Sequence, residues 1–220
     1  LVLLLHLTTD GVVTGHIITS DGTTPSVVSS TPITSGVSNL YQAVASTDGY
    51  AQGRRTLIGF TVRDVAASSG RALIIDVASG VPVVTATRDV GHDYSHFAWC
   101  GDRCAVLSKD GYSAPSSGGN PLGWGPAELT IEICDLSLDV VSTKDATEGI
   151  VGLVEQPAAI YGFEDGRLFM HAGSFTADIT VVGHAYEWTG TGIRLYVLEA
   201  DQLVLQDGLE LESGDGLRQD

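Results

Sequence analysis

Short runs of apolar and polar residues alternate along most of this 220-residue chain. Apolar residues at every second position place their side chains on one face of an extended strand. No run keeps the 3.6-residue period of an amphipathic helix, and only residues 61–69 suggest a short helical turn. The pattern therefore predicts an all-β, antiparallel and turn-rich protein.

Seven Asp-Gly pairs lie between the apolar runs, and they predict where the chain reverses. A type I′ hairpin turn requires positive φ at its two central residues. Asp tolerates this conformation, and Gly adopts it readily. We therefore expect tight hairpins at these pairs. The pairs begin at Asp10, Asp21, Asp48, Asp110, Asp165, Asp207 and Asp215.

A weak internal repeat is visible in the order of strands and turns. Units that begin near residues 41, 96 and 158 each contain a strand, a tight turn, a second strand, a variable connection and another strand pair. Residues 72–80 (ALIIDVASG) and 96–108 (HFAWCGDRCAVLS) resemble the strand-turn-strand pattern of β-propeller repeats. This resemblance implies propeller-like blades of four antiparallel strands.

The repeat predicts three parts of the chain: an N-terminal β segment (1–40), the repeats (41–200) and a C-terminal hairpin or tail (201–220). Three blades do not close a ring, for which four is about the minimum. A β-sandwich or jelly roll therefore stays open as an alternative architecture.

The formal charge of −16, with only 11 Lys and Arg residues, excludes a general nucleic-acid binder, because phosphate binding needs a basic face. An anionic membrane surface is disfavoured for the same reason. The apolar start, residues 1–5, is interrupted by His6 and lacks basic residues before it. It predicts a first strand and neither a signal peptide nor a membrane-inserting segment.

Two cysteines bracket a predicted turn. Cys100 and Cys104 flank residues 101–103 and are a candidate disulfide, the alternative being two small apolar residues on adjacent strands. Cys134 is expected to be a buried thiol. His92 and His96 precede the two cysteines at intervals of four, but the two-residue gap within a ligand pair that is typical of structural zinc sites is absent.

The sequence contains no Gly-x-Ser-x-Gly elbow, no Gly-rich phosphate loop and no dinucleotide fingerprint. We therefore expect no catalytic residues, no cofactor, no bound metal and no enzymatic activity. Three aromatic residues are candidate ligand contacts, with packing against the core as the alternative. Trp124 lies in a loop rich in Pro, Gly and Ser (113–126), and Tyr186 and Trp188 lie in the last strand pair.

The tract at residues 203–216 (LVLQDGLELESGDG) alternates apolar and polar residues around Asp-Gly pairs. It resembles tracts in tail-tip and fibre proteins of tailed phages and related gene-transfer particles. The resemblance implies a virion structural protein, located on the virion, whose partners are copies of itself or other virion proteins. Adhesion to a host surface glycan is a further implication. The alternative is a secreted, β-propeller-like domain that binds carbohydrate.

Overall fold

The computed structural model describes residues 2–20, 22–40, 44–45, 56–65, 70–90, 94–112, 124–146, 153–154, 159–178 and 185–212. Within these ranges the chain forms seventeen β-strands and no α-helix, and every strand pair is antiparallel. The predicted all-β, antiparallel class is confirmed. The short helical turn suggested for residues 61–69 does not form over residues 61–64, which belong to a strand that pairs on both sides.

The strands form four sheets that follow one another along the chain. Sheet A contains β1 (Val2–Leu7), β2 (Val13–Ser20) and β3 (Pro25–Thr34). Sheet B contains β4 (Val37–Leu40), β5 (Val44–Ala45), β6 (Leu57–Asp64), β7 (Gly70–Asp76) and β8 (Val83–Asp89). Sheet C contains β9 (Tyr94–Cys100), β10 (Arg103–Tyr112), β11 (Trp124–Cys134) and β12 (Val140–Asp145). Sheet D contains β13 (Leu153–Val154), β14 (Ala159–Gly162), β15 (Arg167–Asp178), β16 (Ala185–Glu199) and β17 (Gln202–Glu212).

The first strands of sheets B, C and D begin at Val37, Tyr94 and Leu153. The last strand of sheet D is β17, which pairs with β16. The four sheets do not close into a barrel.

Two of the Asp-Gly pairs, at Asp10 and Asp165, form hairpin turns of a different type from the predicted one. The Gly11 N–H donates to the Thr8 carbonyl at 3.1 Å, the Gly166 N–H donates to the Phe163 carbonyl at 3.2 Å, and only the glycine of each pair has positive φ. This is a three-residue hairpin loop, in which a type I turn precedes a left-handed residue.

Two other Asp-Gly pairs, at Asp110 and Asp207, do not form turns. They lie within β10 and β17, next to shifts in strand register. A β-bulge also favours glycine, so the pair by itself does not separate a turn from a bulge. Gly22 has positive φ between β2 and β3, whereas Asp21, residues 48–49 and residues 215–216 lie outside the described residues.

Three apolar layers hold the four sheets face to face. The layer between sheets A and B contains Val13, Val37, Phe60, Val62, Leu73 and Ile75. The layer between sheets B and C contains Ala72, Ile74, Ala86, Val90, Phe97, Trp99, Cys104, Val106, Cys134 and Leu138. The layer between sheets C and D contains Ala98, Cys100, Ala105, Leu107, Leu129, Ile131, Ile133, Ala146, Ile160, Leu168, Met170, Tyr196 and Leu203. Sheets B and C are therefore buried on both faces.

An arginine joins the sheets across each layer. Arg71 of sheet B donates to the Thr34 hydroxyl of sheet A at 2.6 Å and pairs with Asp64. Arg88 of sheet B pairs with Glu132 of sheet C at 2.6 Å. Arg103 of sheet C pairs with Asp201, in the β16–β17 turn of sheet D, at 2.8 Å. These part-buried pairs add directional contacts to layers that are mostly apolar.

Glycines allow β9 to approach both neighbouring sheets closely. A Cβ atom built on Gly162 of β14 would lie 1.5 Å from the carbonyl oxygen of Trp99. A Cβ atom on Gly59 of β6 would lie 2.0 Å from the Phe97 ring. Nearby, the Gly101 N–H donates to the Phe163 carbonyl at 3.0 Å, which joins turns of sheets C and D. The spacing of sheets C and D at this point therefore depends on Gly162.

We predict that Gly162→Ala lowers the free energy of unfolding by about 3 kcal/mol or more, because the new methyl group meets backbone that cannot move aside. The control is Gly80→Ala, at a turn glycine with φ of +76° and no atom within 4 Å of the added Cβ. This variant should lose only about 1–2 kcal/mol of unfolding free energy, which is the cost of a left-handed conformation for a residue with a Cβ atom. Urea unfolding of both variants measures the difference, and equal losses would contradict this view of the sheet C–sheet D contact.

Candidate interaction surfaces

The predicted Cys100–Cys104 disulfide is absent, and all three cysteines are free thiols. A two-residue turn joins β9 to β10, so Cys100 lies opposite Arg103, and Cys104 lies opposite Trp99. Cys100 faces the layer with sheet D, whereas Cys104 faces the layer with sheet B. Side chains alternate between the two faces of a strand, which separates the two thiols.

Cys100 contacts sheet D. Its thiol donates to the Gly166 carbonyl at 3.2 Å, next to the β14–β15 turn. Burial, with smaller contributions from Asp165 and Asp102, raises the pKa of Cys100 to about 12. This thiol is therefore a packed, unreactive group.

The three candidate aromatic residues have described backbones but lie outside the part of the structure whose side chains are described. Trp124 begins β11, opposite Tyr112. Tyr186 and Trp188 lie in β16, opposite Ala177 and Phe175. Whether these rings contact a ligand stays a prediction.

A different aromatic group lies on the outer face of sheet D, the face turned away from sheet C. Tyr161 is 51% exposed and lies opposite Phe169, with 6.3 Å between ring centroids. Phe163 is 43% exposed, and the Arg167 guanidinium lies 5.2 Å from its ring centroid. We call Tyr161, Phe163, Arg167 and Phe169 the aromatic face. The sequence signal for this group is the presence of aromatic residues at positions 161, 163 and 169, which the alternation of a strand places on one face. This pattern does not show whether another sheet covers that face.

Sheet A has an apolar outer face at the opposite end of the row of sheets. Val2, Ile18 and Val27 lie side by side across its three strands, and Val2 and Val27 are 63% and 60% exposed. Leu4 is also exposed, next to the rings of His6 and His16, whose centroids are 6.1 Å apart. We call Val2, Leu4, Ile18 and Val27 the aliphatic face.

The first and last strands, β1 and β17, both pair within this chain. β1 pairs with β2, and β17 pairs with β16. Each is an edge strand of its sheet. One edge of each strand therefore remains on the outside of its sheet, where backbone groups of another strand can bind.

His96 lies at the boundary between sheets C and D. Its ring is 6.4 Å from that of Tyr161, and its Nδ1 is buried with no hydrogen-bond partner among the described residues. Burial lowers the pKa of His96, and a hydrogen bond with the backbone of Ile160 opposes this effect only in part. The folded protein therefore favours the neutral imidazole.

Within the described ranges, no group of three or more His, Cys, Asp or Glu side chains is arranged to hold a metal ion. The same ranges contain no helix with the length and apolar character needed to cross a membrane.

The chain matches no known family model. No curated protein and no solved structure shows significant similarity to it either.

We predict that His96 makes stability fall as the pH decreases below about 6.5, the ordinary pKa of histidine in an unfolded chain. Below this pH the histidine of the unfolded chain binds a proton, whereas His96 in the folded protein, whose pKa is lower, stays neutral. Protonation therefore favours the unfolded state. The variant His96→Gln should lose part of this dependence. Melting temperatures between pH 5 and 8 test the prediction, with exposed His6→Gln as the control. It is contradicted if His96→Gln and the parent lose stability in parallel.

Proposed function

We propose that this chain is a structural component of a tailed-phage-type virion, at the tail tip, a fibre or the particle surface, where it contributes to assembly and host adhesion. One observation carries the proposal most strongly: the end sheets of the row expose apolar outer faces. The tract at residues 203–216, which resembles those of tail-tip proteins, supports the same assignment.

The outer faces of the two end sheets differ from the faces between sheets. Sheets B and C cover both of their faces with neighbouring sheets, whereas the aliphatic face of sheet A and the aromatic face of sheet D have no neighbouring sheet among the described residues. Contiguous exposed apolar surface is typical of sites that bind another protein. The proposed partners are copies of this chain or other virion proteins.

The proposal includes a purely structural role, with no enzymatic activity. It also places the protein on the virion, where repeated copies of one contact supply avidity for a host glycan. The charge of −16 keeps such a surface soluble and argues against nucleic acid as a partner.

The location is tested by fractionating the culture that produces the chain on a density gradient. Antibody labelling then follows the chain, and electron microscopy of the particle fractions shows where it lies. We expect the chain to sediment with particles and the label to decorate one end or the surface. A chain that stays wholly at the top of the gradient, as free protein, would overturn the virion assignment.

The contact itself is tested with Val27→Lys in the aliphatic face. Replacing an exposed valine should change the free energy of unfolding by no more than about 0.5 kcal/mol. A lysine at a buried contact between subunits should nevertheless strongly reduce the amount of chain in particles. The matched control is Val83→Lys, on β8 of sheet B, where the valine is 52% exposed. Equal incorporation of the two variants would show that the aliphatic face is not a contact.

The aromatic face favours a second candidate function, a secreted domain that binds carbohydrate. Exposed rings such as those of Tyr161 and Phe163 offer flat apolar surfaces for sugar rings. For this function, Tyr161→Ala should weaken glycan binding roughly tenfold. A glycan array probed with the parent and with this variant measures the effect, and Val204→Ala, at another exposed apolar residue of sheet D, is the control.

A further inference from the structure

Two of the three cysteines lie directly opposite each other in sheet C. Cys104 of β10 and Cys134 of β11 are register partners, and both are fully buried in the layer between sheets B and C. The Cys104 thiol donates to the backbone carbonyl of Cys134 at 3.5 Å and to that of Asp135 at 3.3 Å. Opposed residues of an antiparallel pair have Cα atoms about 4.5–5.5 Å apart, within the range of roughly 4.4–6.8 Å that a disulfide spans.

A cationic side chain from sheet B faces this pair. Arg88 of β8 binds the Glu132 carboxylate through its Nη2, and Glu132 lies two residues before Cys134 on the same strand face. The Nε of Arg88 is buried and has no acceptor among the described residues. One N–H of this guanidinium therefore lacks a partner in a layer that contains two thiols.

We propose that Cys104 and Cys134 form a redox-sensitive dithiol, which hydrogen peroxide converts into a cross-strand disulfide with Arg88 stabilising the intermediate thiolate. In the first step the Cys134 thiolate attacks one oxygen of the peroxide, which forms a sulfenic acid and releases hydroxide. In the second step the sulfur of Cys104 attacks the sulfur of Cys134, and the S–S bond forms as water leaves. The two sulfurs lose two electrons, and one peroxide becomes two waters.

The electrostatics of the pair assign the first step to Cys134. The neighbouring Cys104 side chain lowers the pKa of Cys134, and the positive charge of Arg88 lowers it further. Burial and the negative charges of Glu132 and Asp135 oppose these effects. The Cys134 side chain, together with burial, raises the pKa of Cys104. One thiol of the pair is thus favoured as the nucleophile and the other as the resolving thiol. Cys100 takes no part, because it faces the opposite layer.

Peroxide treatment of the intact, folded protein tests the proposal. After treatment, the protein is unfolded, its free thiols are alkylated, and the disulfide is located by mass spectrometry of peptides. We expect two of the three thiols to be lost and one bond to join Cys104 to Cys134. Cys104→Ser and Cys134→Ser should each abolish this bond, whereas Cys100→Ser should leave it unchanged. Three thiols that all stay free, or a bond that includes Cys100, would overturn the proposal.

The role of Arg88 is tested by the rate of oxidation. Arg88→Gln should slow disulfide formation severalfold, because the positive charge that stabilises the thiolate is lost. The matched control is Arg71→Gln, which removes the corresponding arginine between sheets A and B, away from the thiols. It should lose similar stability and keep the parent's oxidation rate. Equal rates in the two variants would contradict the role assigned to Arg88.

Discussion

The burial of sheets B and C on both faces is the constraint on which the rest of the structure depends. Each inner sheet supplies side chains to two apolar layers, so its central strands cannot place a polar side chain on either face without a partner. Along β7, Ala72 and Ile74 enter one layer while Leu73 and Ile75 enter the other. The same division holds for Cys104 and Val106 against Ala105 and Leu107 of β10. The loss of one sheet would therefore expose the face of the next.

In this arrangement, three of the few cationic residues of the chain connect neighbouring sheets. Only 11 residues are Lys or Arg, against 27 Asp and Glu, yet Arg71, Arg88 and Arg103 each join a different pair of sheets. An apolar layer resists separation but allows sliding, whereas a hydrogen-bonded ion pair fixes direction. The same placement puts Arg88 beside the Cys104–Cys134 pair. A contact that positions two sheets thereby also changes the chemistry of two thiols.

The two ends of the row differ from its middle, and this difference underlies the functional proposal. The outer faces of sheets A and D carry valines, leucines and aromatic rings that are exposed to solvent in the isolated chain. Their chemistry differs, because one is aliphatic and next to two histidines, while the other is aromatic and contains Arg167. The two ends of the row therefore present chemically different surfaces to solvent.

The sequence by itself determined the all-β class and the antiparallel pairing of the strands, because alternation and turn residues are local properties. Continuous apolar runs such as residues 72–75 also carried the signal of burial on both faces. Only the tertiary structure decided which residues meet across strands and layers. The sequence predicts a turn at Asp207 and Gly208, but both residues lie within β17, because pairing with β16 outweighs the local preference for a turn. Cys104 meets Cys134 and not Cys100, since strand register and facing direction are set by packing of the whole sheet.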